Sequence, residues 1–192
     1  MAHPRLACAQ KKARVEGRTI VFVDESGFYL MPGRVRTYEP CGQTPVLRWP
    51  YTRDHLSVMS GITMDGHLYT LVRAEALDSL DSVLFLQHLL PHVSAKLLVI
   101  WDGSPIHKGE VRTFLAAGGA KQIHVAQLPP YAPDLNPGEG VWQHLKQVEL
   151  RNLCCRNLVH LRSELDLAMK RLRRKPHLIT ACFAEAGLPI ES

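Results

Sequence analysis

The sequence predicts an α/β domain: a mixed five-stranded sheet, its first three strands antiparallel, flanked by helices on both faces. Three observations carry this. Runs rich in Val, Ile, Leu and aromatic residues recur at 19–24, 55–63, 67–74, 96–101 and 122–128, with the length and composition of strands. The first three runs precede any sustained helical pattern, and Asp65-Gly66 between the second and third is a hairpin signal. From residue 79 onward, helical spacing alternates with the two remaining strands, as in a sheet covered by helices on both sides.

The elements follow in order. Residues 1–18 are polar and basic and read as a lead-in or linker. The first strand, 19–24, ends on Asp24. Residues 29–50 hold Pro32, Gly33, Pro40, Gly42, Pro45 and Pro50 and read as a long loop or small hairpin. After the 55–63 and 67–74 hairpin, Leu80, Val83, Leu84, Leu89, Leu90 and Val93 fall near helical spacing. "KLLVIW" is the fourth strand and stops at Asp102-Gly103-Ser104-Pro105. A helix carrying Val111, Phe114 and Leu115 ends at Gly118-Gly119. The fifth strand is followed by the proline-rich "LPPYAPDLNP" and a helix opening after Pro137. Leu158, Leu161, Leu165, Ala168 and Leu172 form an amphipathic stripe on a long helix that starts near Asn157. A last helix lies after Pro176. The expected organisation is a core over 19–150, with helices of 151–192 packed on it in the same domain.

Composition narrows the function classes. With 46% apolar and 21% charged residues, the chain is globular rather than disordered. Its net charge of +5 permits a polyanionic partner. No apolar run approaches the roughly 18–20 residues of a membrane span, and the N-terminal segment lacks the apolar core of a signal peptide. A cytoplasmic location and no membrane partner are expected. Five cysteines without regular spacing argue against a disulfide framework. Cys154, Cys155 and His160 match zinc spacings poorly, and His88 and His92 read as surface histidines.

Three acids stand out. Asp24 and Asp102 each end a strand, and Glu139 lies in the first turn of the helix after the fifth strand. Singly, each has a structural reading as a turn former or a complement to the helix dipole. If strands one and four are parallel neighbours, Asp24 and Asp102 share a rim that the helix carrying Glu139 can reach. Three converging carboxylates repel one another unless cations bind. An all-oxygen set suits Mg²⁺ or Mn²⁺, and two such ions can serve phosphoryl transfer.

"FVDESGF", "RTYEPCGQTPVL", "WDGSPIHK" and "LPPYAPDLNPGEGVW" resemble the DDE catalytic domain of IS630-type transposases of the Tc1/mariner superfamily, over residues 19 to about 175. The resemblance implies an RNase H-like fold and a metal-binding catalytic triad of Asp24, Asp102 and Glu139. It also implies Mg²⁺ or Mn²⁺ as cofactor, two ions per site, and cleavage and strand transfer on DNA. The implied partners are transposon ends and target DNA, in a homodimeric synaptic complex at the bacterial nucleoid. Gly103-Ser104 stands where many relatives have Asn-Ala. Asp134 is a rival third acid, ranked below Glu139 because it precedes the helix. The helix-turn-helix domains that relatives carry are not read in this chain. The alternative is therefore a non-catalytic DNA-binding remnant, with a general RNase H-like nuclease as a third reading.

The surrounding motif residues have supporting roles. His107 either orients a carboxylate or contacts a phosphate, and Lys108 belongs to the same loop-to-helix junction. Asn136 is expected to cap the helix that Pro137 opens. Lys146 shares a helical face with Glu139 and either meets a DNA phosphate or is solvated. Arg173 and Arg174 belong to the basic run 170–175, which either grips a DNA backbone or complements the helix end.

Overall fold

The computed structural model describes residues 4–31, 36, 40–42, 44, 46, 48, 52–93, 95–130 and 132–188. Much of the expected loop at 29–50, including most of "RTYEPCGQTPVL", lies outside them. The elements are α1 (Pro4–Val15), β1 (Arg18–Tyr29), β2 (His55–Thr63), β3 (Leu68–Arg73), α2 (Ser79–Leu89) and β4 (Lys96–Trp101). They continue with α3 (Glu110–Ala116), β5 (Ile123–Gln127), α4 (Pro137–His144), α5 (Leu158–Arg173) and α6 (Pro176–Glu185). The sheet order is β3-β2-β1-β4-β5. β1 and β2, and β2 and β3, pair antiparallel, whereas β4 pairs parallel to both β1 and β5. This is the mixed sheet expected of an RNase H-like fold.

The period-2 alternation of strand side chains divides the core into two layers. Val21 and Val23 of β1 and Leu97, Val99 and Trp101 of β4 pack with Phe85, Leu86 and Leu89 of α2 and Val111 of α3. Phe22, Leu98 and Ile100 face the opposite way, toward α1, α4, α5 and α6. Phe22 meets Phe183 of α6 edge to face at 5.5 Å, a favoured aromatic geometry. No helix among the described residues is long and apolar enough to cross a membrane.

Three expectations change. The segment read as a lead-in contains α1, whose Leu6 and Ala13 are buried against the sheet. β1 does not stop at Asp24: Glu25, Ser26 and Gly27 stay extended because they pair with Met59, Val58 and Ser57 of β2. In α2 the core face is Phe85, Leu86 and Leu89, while Leu80 and Leu84 are exposed.

Candidate metal centre

The register of β1 and β4 runs toward two of the three acids at one end of the sheet. The recorded pairing of β1 with β4 runs to Phe22↔Ile100. Two residues further in each strand is Asp24 level with Asp102. Asp24 continues the row of Phe22 and lies against α4, whereas Asp102, just past the end of β4, has its carboxylate beside His107 and Glu25. Asp24 is fixed by β2, where it lies opposite Ser60. Asp102 stands beyond the last residue of β4 and is exposed, its Oδ1 accepting the Ser104 backbone N–H at 2.8 Å.

The start of α4 is built to approach Asp24. The Asn136 side chain caps the helix by accepting the Gly138 N–H at 3.0 Å, and Pro137 occupies the first turn, where its fixed φ suits the helix. A Cβ at Gly138 would lie 2.9 Å from Asp24 Cβ and 3.0 Å from Oδ2. Glycine here is what lets the helix touch the carboxylate. One turn on, Trp142 Nε1 donates to Asp24 Oδ2 at 2.7 Å, and its ring meets Phe28 edge to face. Glu139 lies exposed in the first turn, close enough that its charge acts on Asp24.

Electrostatics records the crowding. Asp24 is pushed up to about 6, chiefly by burial and further by the charges of Glu25 and Glu139, against the Trp142 hydrogen bond. Lys146 donates to Ser26 Oγ at 2.7 Å and lies 5.3 Å over the Phe28 ring. Burial lowers its pKa, while Glu139 and Asp24 draw it upward. The amine thus borders the same acidic field.

A second group meets at this rim. His107 is buried, stacked on Trp101 at 4.0 Å with 6° between the rings. Its Nε2 lies 3.3 Å from Asp102 Oδ1 and 3.4 Å from Glu25 Oε1. Among the described residues, the ligand atoms that close to within 4.8 Å are those of Glu25, Asp102 and His107, not of Asp24, Asp102 and Glu139. Glu25 was missed by the sequence reading. Its signal was parity: in a strand that continues past Asp24, the next side chain points to the opposite face.

The remaining expected residues are placed as follows. Lys108 is exposed. Asp134 is exposed in the 3₁₀ turn Pro133–Leu135. Arg173 does not end free in solvent: its guanidinium donates to Leu68 O at 2.9 Å and Thr70 Oγ1 at 2.6 Å, tying α5 to β3. Arg174 caps the end of α5 and is exposed. Cys154, Cys155 and the other cysteines are free.

The family model described as DDE superfamily endonuclease matches residues 19–160. No curated protein matches the sequence. Solved structures share the fold. A Mos1 transposase paired-end complex with the left transposon end is 20% identical, covering 97% of this chain and 60% of that chain at a TM-score of 0.60. The Mos1 mariner paired-end complex with Mn is 18% identical over 95% and 60%, at 0.59. The catalytic domain of Mos1 mariner transposase is 16% identical over 97% and 90%, at 0.51. The chain thus spans about three fifths of the transposase chains in the two complexes.

Proposed function

The chain belongs to the DDE superfamily endonucleases, and from that premise we propose that it is the catalytic domain of an IS630-type transposase of the Tc1/mariner superfamily. Asp24, Asp102 and Glu139 hold two divalent cations, Mg²⁺ or Mn²⁺. The observation that supports this reading best is the parallel register of β1 and β4, which runs toward Asp24 and Asp102 at one end of the sheet, with α4 packed on Asp24. The residues fit the ions: an all-oxygen donor set of this charge suits hard divalent cations. A carboxylate raised to about 6, chiefly by burial and further by the charges of Glu25 and Glu139, is one that a cation relieves. When bound, the ions supply Lewis acidity and charge neutralisation at a phosphodiester.

The protein supplies positioning. β1 and the Trp142 hydrogen bond hold Asp24, while Asp102 and Glu139 close from exposed ends. Lys146 offers a cation beside the acids for a DNA phosphate. Strand cleavage by water and transfer of the freed 3′-OH to target DNA are two in-line displacements at phosphorus. Neither needs a covalent protein intermediate. Residues 19–150 form the catalytic core, and 151–192 complete the same domain through contacts such as Phe183 on Phe22. The partners are transposon-end and target DNA in a homodimeric synapse, within a bacterial cytoplasm.

The test is Mn²⁺ calorimetry and nicking of duplex DNA, wild type beside Asp102→Asn. Loss of both binding and nicking in the variant is expected. Nicking by the variant at the wild-type rate overturns the triad.

A further inference from the structure

We propose that Glu25, Asp102 and His107 form a second metal site, selective for a borderline transition ion of the Zn²⁺ class, which shares Asp102 with the acidic triad. The site is distinct in face and in chemistry. Asp24 lies toward α4, whereas Glu25, next along the strand, lies toward the layer that holds Trp101. The triad offers only oxygen; this group adds an imidazole nitrogen, which moves preference from Mg²⁺ toward Zn²⁺ and its neighbours.

The geometry points to an ion rather than to hydrogen bonds. His107 has a side chain with 0% exposure, yet neither of its ring nitrogens has a hydrogen-bond partner, and neither has Glu25 Oε1. Leaving such groups buried and unsatisfied costs roughly 1–3 kcal/mol each. Charge-assisted hydrogen bonds of this type run ~2.7–2.9 Å. The distances here are 3.3 Å to Asp102 Oδ1 and 3.4 Å to Glu25 Oε1. A tetrahedral shell with ligands at ~2.0–2.1 Å sets neighbouring ligand atoms ~3.3–3.4 Å apart. Stacking on Trp101 at 4.0 Å fixes the imidazole plane. Asp102, with a side chain 55% exposed, gives the ion a path from solvent. Three protein ligands leave a fourth position open, as in non-structural zinc sites.

One consequence rests on the proposed function: Asp102 cannot serve both sites freely, so Zn²⁺ competes with Mg²⁺ and inhibits cleavage. The site itself does not depend on that reading. Its test is Zn²⁺ calorimetry, with Co²⁺ absorption as a report of tetrahedral ligation. The background is His88→Gln/His92→Gln, because those two surface rings lie with centroids 4.5 Å apart and could bind Zn²⁺ themselves. In that background, His107→Gln and Glu25→Gln should each weaken Zn²⁺ binding by at least ~10-fold, the lower end of what losing even an outer-shell partner costs. Asp24→Asn should leave Zn²⁺ binding unchanged while abolishing Mn²⁺ binding at the triad. Zn²⁺ affinity that survives both the His107 and Glu25 changes overturns the proposal, as does affinity lost only with Asp24. If His107→Gln fails the cooperative-unfolding control because Trp101 loses its stacking partner, Glu25→Gln alone decides. Failure of Mn²⁺ to bind with Zn²⁺ binding intact would refute the triad and leave this site standing.

Discussion

Replacing Gly138 with alanine isolates the contact between α4 and Asp24. The added Cβ would sit 2.9 Å from Asp24 Cβ, 3.0 Å from its Oδ2 and 3.1 Å from Asn136 Oδ1. Carbon contacts are optimal near ~3.5–4.0 Å, so the methyl overlaps its neighbour by roughly 0.6 Å. Neither neighbour yields cheaply. Trp142 Nε1 holds Asp24 Oδ2, and the Gly138 N–H holds Asn136 Oδ1. Alanine gains up to ~1 kcal/mol of helix propensity over glycine, against ~1–3 kcal/mol for overpacking. The net loss of global stability is then about 0–2 kcal/mol. The functional loss is larger. Moving α4 carries Glu139 with it, and moving Asp24 breaks its hydrogen bond. A shift of order 1 Å at a reacting centre costs ~10²-fold. Metal-dependent nicking of duplex DNA should therefore fall ~10–100-fold, while the urea midpoint moves little. Wild-type nicking by Gly138→Ala would refute the argument that this glycine positions the site. Destabilisation by several kcal/mol would show that the core, not the site, absorbs the overlap.

Two further outcomes follow from the same geometry. Asp24, raised to about 6, binds its proton more tightly folded than unfolded, so in the metal-free protein it adds stability at low pH. That contribution is full below the ordinary value of 3.8 and gone once pH rises through about 6. Urea unfolding in chelator across this window should show a pH dependence that Asp24→Asn lacks, and parallel curves would remove Asp24 as its source. Arg173→Ala should destabilise by ~1–3 kcal/mol through its lost bonds to Leu68 and Thr70. Arg174→Ala should change stability by less than ~0.5 kcal/mol and lower the salt slope of DNA binding by about one. Denaturation and salt-dependent binding check this pair; equal destabilisation by both contradicts the assignment.

The parts of the fold legible in the sequence were those whose burial is written in a period. β4 is an unbroken apolar run closed by turn residues, and α5 repeats apolar residues every three or four. α1 was not legible because only Leu6 and Ala13 are its described buried residues, amid Lys11, Lys12 and Arg14. The extension of β1 was not legible because Glu25-Ser26-Gly27 has turn-like composition, and pairing with β2 overrides that local preference. At the site, Asn136 as the helix cap could be read from residue type alone. The stacking of His107 on Trp101 could not, since it depends on a turn folding back over the end of β4. Arg173 read as part of a basic run that grips DNA or complements the helix end because sequence does not show that its guanidinium reaches β3.

The position of β1 in the sheet has a consequence for synthesis. Its first partner, β2, follows closely, but Val21 must wait for Val99. A growing chain completes the β1–β2–β3 meander at Arg73 and lacks β4 until Trp101 has emerged. Those 28 residues (101 − 73) take roughly 1.4–5.6 s at 5–20 residues per second. Throughout that interval the Val21-Phe22-Val23 segment, wholly interior in the finished domain, is an open strand edge. Such edges recruit other chains. The strand that carries the first acid therefore depends on prompt translation of what comes after it.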